Sequence, residues 1–127
     1  MRGSKAQGVF VGSAMTEYIS AIEKAFSAAR EAATVEDARL GEESTRGLDC
    51  GFAWVVCKPA NGKLAKHLKI YGADKHHTGG VCLWNPSKHP SQSISVKEAG
   101  AVAFVKSLER DLKGEGYTLL YYNSRLD

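Results

Sequence analysis

The segment Gly51–Lys58, with the sequence GFAWVVCK, indicates the fold class because it is apolar at both odd and even positions. Its β-branched and aromatic residues favour a strand. An apolar pattern on both parities is typical of a strand that is covered on both faces or that lies centrally in a sheet. Pro59, Asn61 and Gly62 follow the segment and predict its end.

Two further strands are predicted downstream, over residues 80–84 (GVCLW) and 117–122 (YTLLYY). Helical periodicity predicts helices over about residues 15–33, 63–71 and 95–112. The first places Ile19, Ile22, Phe26 and Ala29 on one face. Ser95 followed by Glu98 has the spacing of a capping box, which predicts the start of the third helix.

The resulting order is α-β-α-β-α-β, which predicts an α+β fold, or a small α/β fold, with a three-stranded sheet and helices packed on one face. Both connections between successive strands are long enough for parallel pairing. The length of 127 residues predicts a single domain over 1–127. Within it, residues 1–14 are expected to be loose, 15–46 to form an N-terminal helical region and 48–127 to form the core.

The composition is that of a globular protein, with 43% hydrophobic and 24% charged residues. No apolar run is long enough to cross a bilayer, and the N-terminus does not have the pattern of a signal peptide. The chain has three cysteines, Cys50, Cys57 and Cys82. A disulfide scaffold normally has an even and larger number, so the sequence does not predict one. Together these features predict reduced thiols and a cytoplasmic location.

Positive charge is concentrated in residues 50–97, which contain seven lysines and one acidic residue, a net charge of +6. All four histidines also lie in this segment. Such a segment attracts phosphate and other anions. The alternative interpretation is ordinary solvated lysine with charge partners on the flanking helices.

Aromatic residues on the predicted strands add to this signal, because an open sheet face with rings beside lysines can stack bases and follow a phosphate backbone. Phe52 and Trp54 are expected to belong mostly to the core, whereas Trp84 and Tyr122 are the candidates for exposure. The predicted site for nucleic acid or another anion consists of Lys63, Lys66, His67, Lys69, Lys75, His76, His77, Trp84 and Lys88.

Other chemistry has weaker support. His76, His77, Cys82 and His89 could ligate zinc, but their spacing matches no common structural zinc pattern, so no metal site is predicted. Cys50 could be a nucleophile, and Ser124 or Tyr122 could form a dyad with His77, but no nucleophile-elbow motif is present. Phosphate-binding loops are absent, and no cofactor is predicted.

Several short motifs occur in a characteristic order: CGFAWV at 50–55, GGV at 79–81 leading to LW at 83–84, QS at 92–93, KEA at 97–99 and SRLD at 124–127. This order resembles a group of small uncharacterised proteins encoded by tailed bacteriophages, over roughly residues 48–127. The resemblance implies a protein that acts in the cytoplasm of an infected bacterium, and it implies no activity, cofactor or catalytic residue.

Three functions remain open from the sequence. The first is a non-enzymatic accessory protein that binds single-stranded nucleic acid or another polyanion through residues 58–97. The second is a protein–protein module that binds a host protein or forms a homo-oligomer, favoured by the acidic N-terminal part and the alanine-rich first helix. The third is a small hydrolase that depends on a thiol or a histidine.

Overall fold

The computed structural model describes residues 6–42 and 49–127. Three helices and four strands follow one another in the order α1-β1-α2-β2-β3-α3-β4. Their bounds are α1 Ala6–Glu42, β1 Gly51–Lys58, α2 Lys63–Ile70, β2 Asp74–Lys75, β3 Val81–Trp84, α3 Ile94–Leu112 and β4 Leu119–Leu126. The α+β class predicted from the sequence is confirmed.

The sheet has four strands in the order β2-β3-β1-β4, and every neighbouring pair is antiparallel. The prediction of three strands was wrong because β2 has only two residues and is too short to produce a periodic signal. Parallel pairing is also absent from this sheet. Both β3 and β4 pair with β1, so they run in the same direction on either side of it, and α3 connects them across that central strand.

One face of the sheet packs against the helices and forms the main core. β1 contributes Ala53, Val55 and Cys57 to this face, which are the alternate residues of the strand. The helices contribute both small and large buried side chains: Ala21, Ile22, Ala25, Phe26 and Ala29 from α1, Leu64, Ala65 and Leu68 from α2, and Ala101, Phe104, Val105, Leu108 and Leu112 from α3. Within residues 6–42 and 49–127, the helices pack on this face, and none packs on the opposite face of the sheet.

Helix α1 differs in extent from its prediction. It begins at Ala6, so most of the stretch that we expected to be loose is helical, and it continues to Glu42. Residues 43–46 of the predicted helical region lie outside the described residues. Ile22 and Phe26 are buried as predicted, but Ile19 is exposed, because the helix turns its alanine-rich stripe toward α3.

The start of α3 also differs from its prediction. Ser93 occupies the N-cap position without a side-chain hydrogen bond to the backbone, and Ser95 lies inside the helix. The capping box of Ser95 and Glu98 is therefore not formed. The Glu98 carboxylate instead accepts a hydrogen bond from the hydroxyl of Ser124 on β4, which ties the helix to the edge of the sheet.

No helix within residues 6–42 and 49–127 is long and apolar enough to cross a membrane.

Gly100 lies where α3 packs closely against a loop residue and against α1. A Cβ atom there would lie 2.6 Å from Cβ of Ser87 and 3.4 Å from the carbonyl oxygen of Ala29 on α1. We expect Gly100→Ala to lower the free energy of unfolding by about 1–3 kcal/mol through overpacking, despite the better helix propensity of alanine. Urea denaturation followed by circular dichroism measures this change.

Gly41 provides the matched control because a Cβ atom there meets nothing within 4 Å. Gly41→Ala is expected to leave stability unchanged or to raise it by up to about 1 kcal/mol. Equal effects of the two substitutions would contradict the close packing of Gly100 against Ser87.

Candidate functional site

The open face of the sheet, which is the face without helices, consists of side chains that lie opposite one another across the strands. Residues of an antiparallel pair lie on the same face, and alternate residues of a strand share a face. The register therefore groups the side chains of this face into four rows. Counted from one end of the sheet, the first three are Phe52 with Arg125, then Trp54 with Trp84 and Asn123, then Val56 with Cys82, Tyr121 and Asp74. A fourth row follows with Lys58 and Leu119.

Aromatic rings dominate the middle of the open face. The Trp54 and Trp84 rings lie 4.7 Å apart between centroids, and Phe52 meets Trp84 edge to face at 6.2 Å. Val56 and Cys82, in the next row of this face, are buried. Trp84 nevertheless remains 52% exposed and Phe52 38% exposed. The cluster therefore still presents ring faces to solvent.

Cations border the aromatic cluster at its Phe52 end. Lys97 of α3 donates a hydrogen bond from Nζ to the carbonyl oxygen of Gly51 at 2.8 Å, and the same atom lies 5.3 Å from the Phe52 ring centroid. Arg125 pairs with Phe52 across the strands and is exposed. Both the backbone contact and the ring hold the Lys97 ammonium group in place.

The other end of the open face is also positive. Lys58 Nζ lies 6.0 Å from the Tyr121 ring centroid and donates a hydrogen bond to the carbonyl oxygen of Thr78 at 3.0 Å. Asp74 on β2 and Asp127 just after β4 are the carboxylates next to this face in the register. The open face thus has three cations, Lys58, Lys97 and Arg125, around its rings.

The residues of the sequence-predicted site are not all brought together. Trp84 lies on the open face, and His76 and His77 lie in the turn between β2 and β3 at its edge, with ring centroids 4.4 Å apart. The predicted residues of α2, which are Lys63, Lys66, His67 and Lys69, lie on the helical side, because α2 packs into the main core.

Lys75 and Lys88 are also separated from Trp84. Lys75 pairs with Val81, whose side chain belongs to the main core, so Lys75 is on the helical side of the sheet. The Lys88 ammonium group lies 5.4 Å from the ring centroid of Phe26 on α1. The sequence grouped these residues by position along the chain, but in the fold the lysines lie on the helical side of the sheet and Trp84 lies on the open face.

Several contributors to the open face were missed or misassigned. Phe52 and Trp54 were expected in the main core but lie on the open face. The cations Lys58, Lys97 and Arg125 lie outside the set of predicted site residues. The exposure of Trp84 and Tyr122 agrees with the prediction. A signal was present in β1, since Phe52 and Trp54 share one parity and the smaller Ala53, Val55 and Cys57 share the other.

The cysteines do not support thiol chemistry on the sheet. Cys57 and Cys82 are buried on opposite faces. Burial raises the pKa of the Cys57 thiol to about 12, and burial together with the nearby Asp74 carboxylate raises the pKa of Cys82 to about 11. Because only the thiolate is a strong nucleophile, both groups stay unreactive near neutral pH. Cys50 is exposed at the start of β1.

The histidines are dispersed rather than gathered. His89 Nε2 lies 3.9 Å from Asp37 Oδ2 on α1, away from the His76–His77 turn. Across the described ranges 6–42 and 49–127, no group of three His, Cys, Asp or Glu side chains has a geometry that could hold a metal ion.

The proposed dyad of Ser124 or Tyr122 with His77 does not form. Both Ser124 and Tyr122 are on β4, at one edge of the sheet, whereas His77 follows β2 at the other edge. The Ser124 hydroxyl is engaged by Glu98 instead.

Comparison with known proteins adds no assignment to this geometry. No protein-family model, curated protein or solved structure matches the chain. The resemblance to phage-encoded proteins therefore stays a prediction, and function has to be inferred from the open face itself.

Proposed function

We propose that this protein binds single-stranded nucleic acid on the open face of its sheet. The observation that carries the proposal is the row of accessible rings, centred on Trp84, with cations at both ends. Every base has a π-face, so exposed rings can stack bases without reading sequence, while lysine and arginine side chains contact the phosphates. The proposal makes the protein a binding module rather than an enzyme.

Charge favours a polyanion over an apolar partner on this face. Lys58, Lys97 and Arg125 outnumber the two carboxylates, Asp74 and Asp127, that border it. In the salt bridges found between described residues, none of these three cations takes part. Their charge is therefore available to phosphate groups.

The test is a titration with a single-stranded DNA oligonucleotide, followed by intrinsic fluorescence. Both tryptophans of the chain, Trp54 and Trp84, lie on the open face, so base stacking is expected to quench their emission directly. Three phosphate contacts predict a slope of log affinity against log salt of about −2, or about 20-fold weaker binding at ~200 mM than at ~50 mM salt. An affinity that does not change with salt would rule the proposal out.

A second candidate, self-association, is favoured by the edge strand β4. This strand of eight residues has exposed Leu119, Tyr122 and Leu126 and contains neither proline nor lysine, the residues that commonly protect an edge. Light scattering on the same samples distinguishes the two candidates, because a dimer formed through β4 leaves the tryptophan emission unquenched.

A further inference from the structure

Lys58 is held in a defined position at the end of the open face where β2 turns into β3. Its ammonium group donates to the carbonyl oxygen of Thr78 in the turn and lies above the Tyr121 ring. A lysine ammonium group has three protons to donate, and this contact uses one of them. Two donors remain for a ligand without any rearrangement of the side chain.

Gly80 explains how Lys58 reaches the turn. A Cβ atom at Gly80 would lie 2.6 Å from Cγ of Lys58 and 2.3 Å from the carbonyl oxygen of Cys57, and the residue has a φ of +81°. Only glycine adopts this conformation readily, and only a residue without a side chain leaves room for the lysine stem. The aliphatic part of the Lys58 side chain therefore lies over Gly80 and reaches from β1 to the turn.

The same turn holds His76 in one tautomer. The backbone N–H of Thr78 donates to Nδ1 of His76 at 3.3 Å, and the Thr78 hydroxyl lies 2.7 Å from the same nitrogen. Since Nδ1 accepts, the neutral imidazole has its proton on Nε2. Nε2 has no hydrogen-bond partner among the residues that the structure describes.

The surroundings of His76 keep the imidazole neutral. Burial lowers its pKa, and the neighbouring His77 and Lys58 side chains lower it further. Within residues 6–42 and 49–127, no carboxylate forms a salt bridge with Lys58 or His76. An ammonium group and an imidazole N–H donor that both lie at this turn, neither of them in a salt bridge, form an arrangement that suits an anion.

We propose that Lys58 Nζ and His76 Nε2–H together bind one backbone phosphate of the single strand that lies on the open face. This inference rests on the proposed function and adds the place where the strand is anchored. Along β1, Lys58 is about 13 Å from Trp54, at about 3.3 Å per residue. A strand with a base stacked on the tryptophans can therefore place a neighbouring phosphate at Lys58.

The experiment compares Lys58→Gln with Lys66→Gln in the full chain. Both substitutions remove one positive charge, but Lys66 is exposed on α2, on the helical side. We expect Lys58→Gln to weaken oligonucleotide binding by about fivefold to tenfold and to reduce the salt slope by about 1, with Lys66→Gln close to wild type. Equal effects of the two variants would overturn the subsite while leaving binding to the open face intact.

A second measurement tests the subsite without relying on the oligonucleotide. Inorganic phosphate is titrated into the 15N-labelled protein, and the ring signals of His76 are followed by NMR. A saturable shift in wild type that is lost in Lys58→Gln supports the subsite. Absence of a saturable shift overturns it, whereas failure of the oligonucleotide alone would overturn the proposed function and not the phosphate site.

Discussion

Trp84→Ala is expected to weaken the binding of single-stranded DNA by about 5- to 150-fold, the largest loss that we expect from any single change on the open face. Stacking of a base on an aromatic side chain contributes about 1–3 kcal/mol to binding. Because Trp84 is more than half exposed, its removal costs little packing, so the fold is expected to survive. Anisotropy of a labelled oligonucleotide measures the change in affinity.

Tyr122→Ala is the matched control for this prediction. Tyr122 is exposed to a similar degree, but it pairs with Val55 and so lies on the helical side of the sheet. We expect its substitution to leave affinity unchanged within about twofold, and Trp84→Phe to retain most of the binding because a ring is kept. A Tyr122→Ala loss as large as that of Trp84→Ala would place the nucleic acid elsewhere on the molecule.

Phe104→Ala is expected to have the largest effect on stability, lowering the free energy of unfolding by about 3–5 kcal/mol. Phe104 on α3 is 0% exposed and packs edge to face against Phe26 of α1, with 4.9 Å between the ring centroids. Its removal leaves a cavity at the centre of the contact between the two helices. Since small domains have only about 5–15 kcal/mol of stability, we expect a much lower midpoint in urea denaturation.

Phe52→Ala makes the same chemical change on the open face and serves as the comparison. The Phe52 ring is partly exposed and contacts Trp84 and the Lys97 ammonium group, so its loss leaves no enclosed cavity. We expect Phe52→Ala to lower the free energy of unfolding by less than about 2 kcal/mol. If the two substitutions lowered the free energy of unfolding by the same amount, the open face would have to be covered in solution.

The elements of this fold could largely be predicted from local patterns. The strand Gly51–Lys58 has the bounds that its composition indicates, and the helix over 63–70 and the strand over 81–84 each differ from their predictions by a single residue at one end. These segments have strong local signals: apolar runs bounded by Pro or Gly, and three- or four-residue periodicity. The two-residue β2 has no such signal, and the four-stranded sheet was missed for that reason.

The composition of the candidate site could not be predicted in the same way. The lysines of residues 58–97 form one group along the chain, but the lysines of α2 face away from Trp84 in the fold. Arg125 and Lys97 join the open face from β4 and α3, outside or at the end of that segment. Local charge counts cannot detect such neighbours, because the pairing of β1 with β4 joins residues that are far apart in sequence.

By itself, the sequence determined the α+β class, the position of β1 and the excess of positive charge in the middle of the chain, because these depend on residue types at short spacing. Only the tertiary structure decided that the sheet is antiparallel and that Phe52, Trp54, Trp84 and Tyr121 share the face without helices. The physical reason is the alternation of side chains along a strand. The sequence of β1 separates its residues into two faces, but which of the two faces meets solvent depends on where the helices pack.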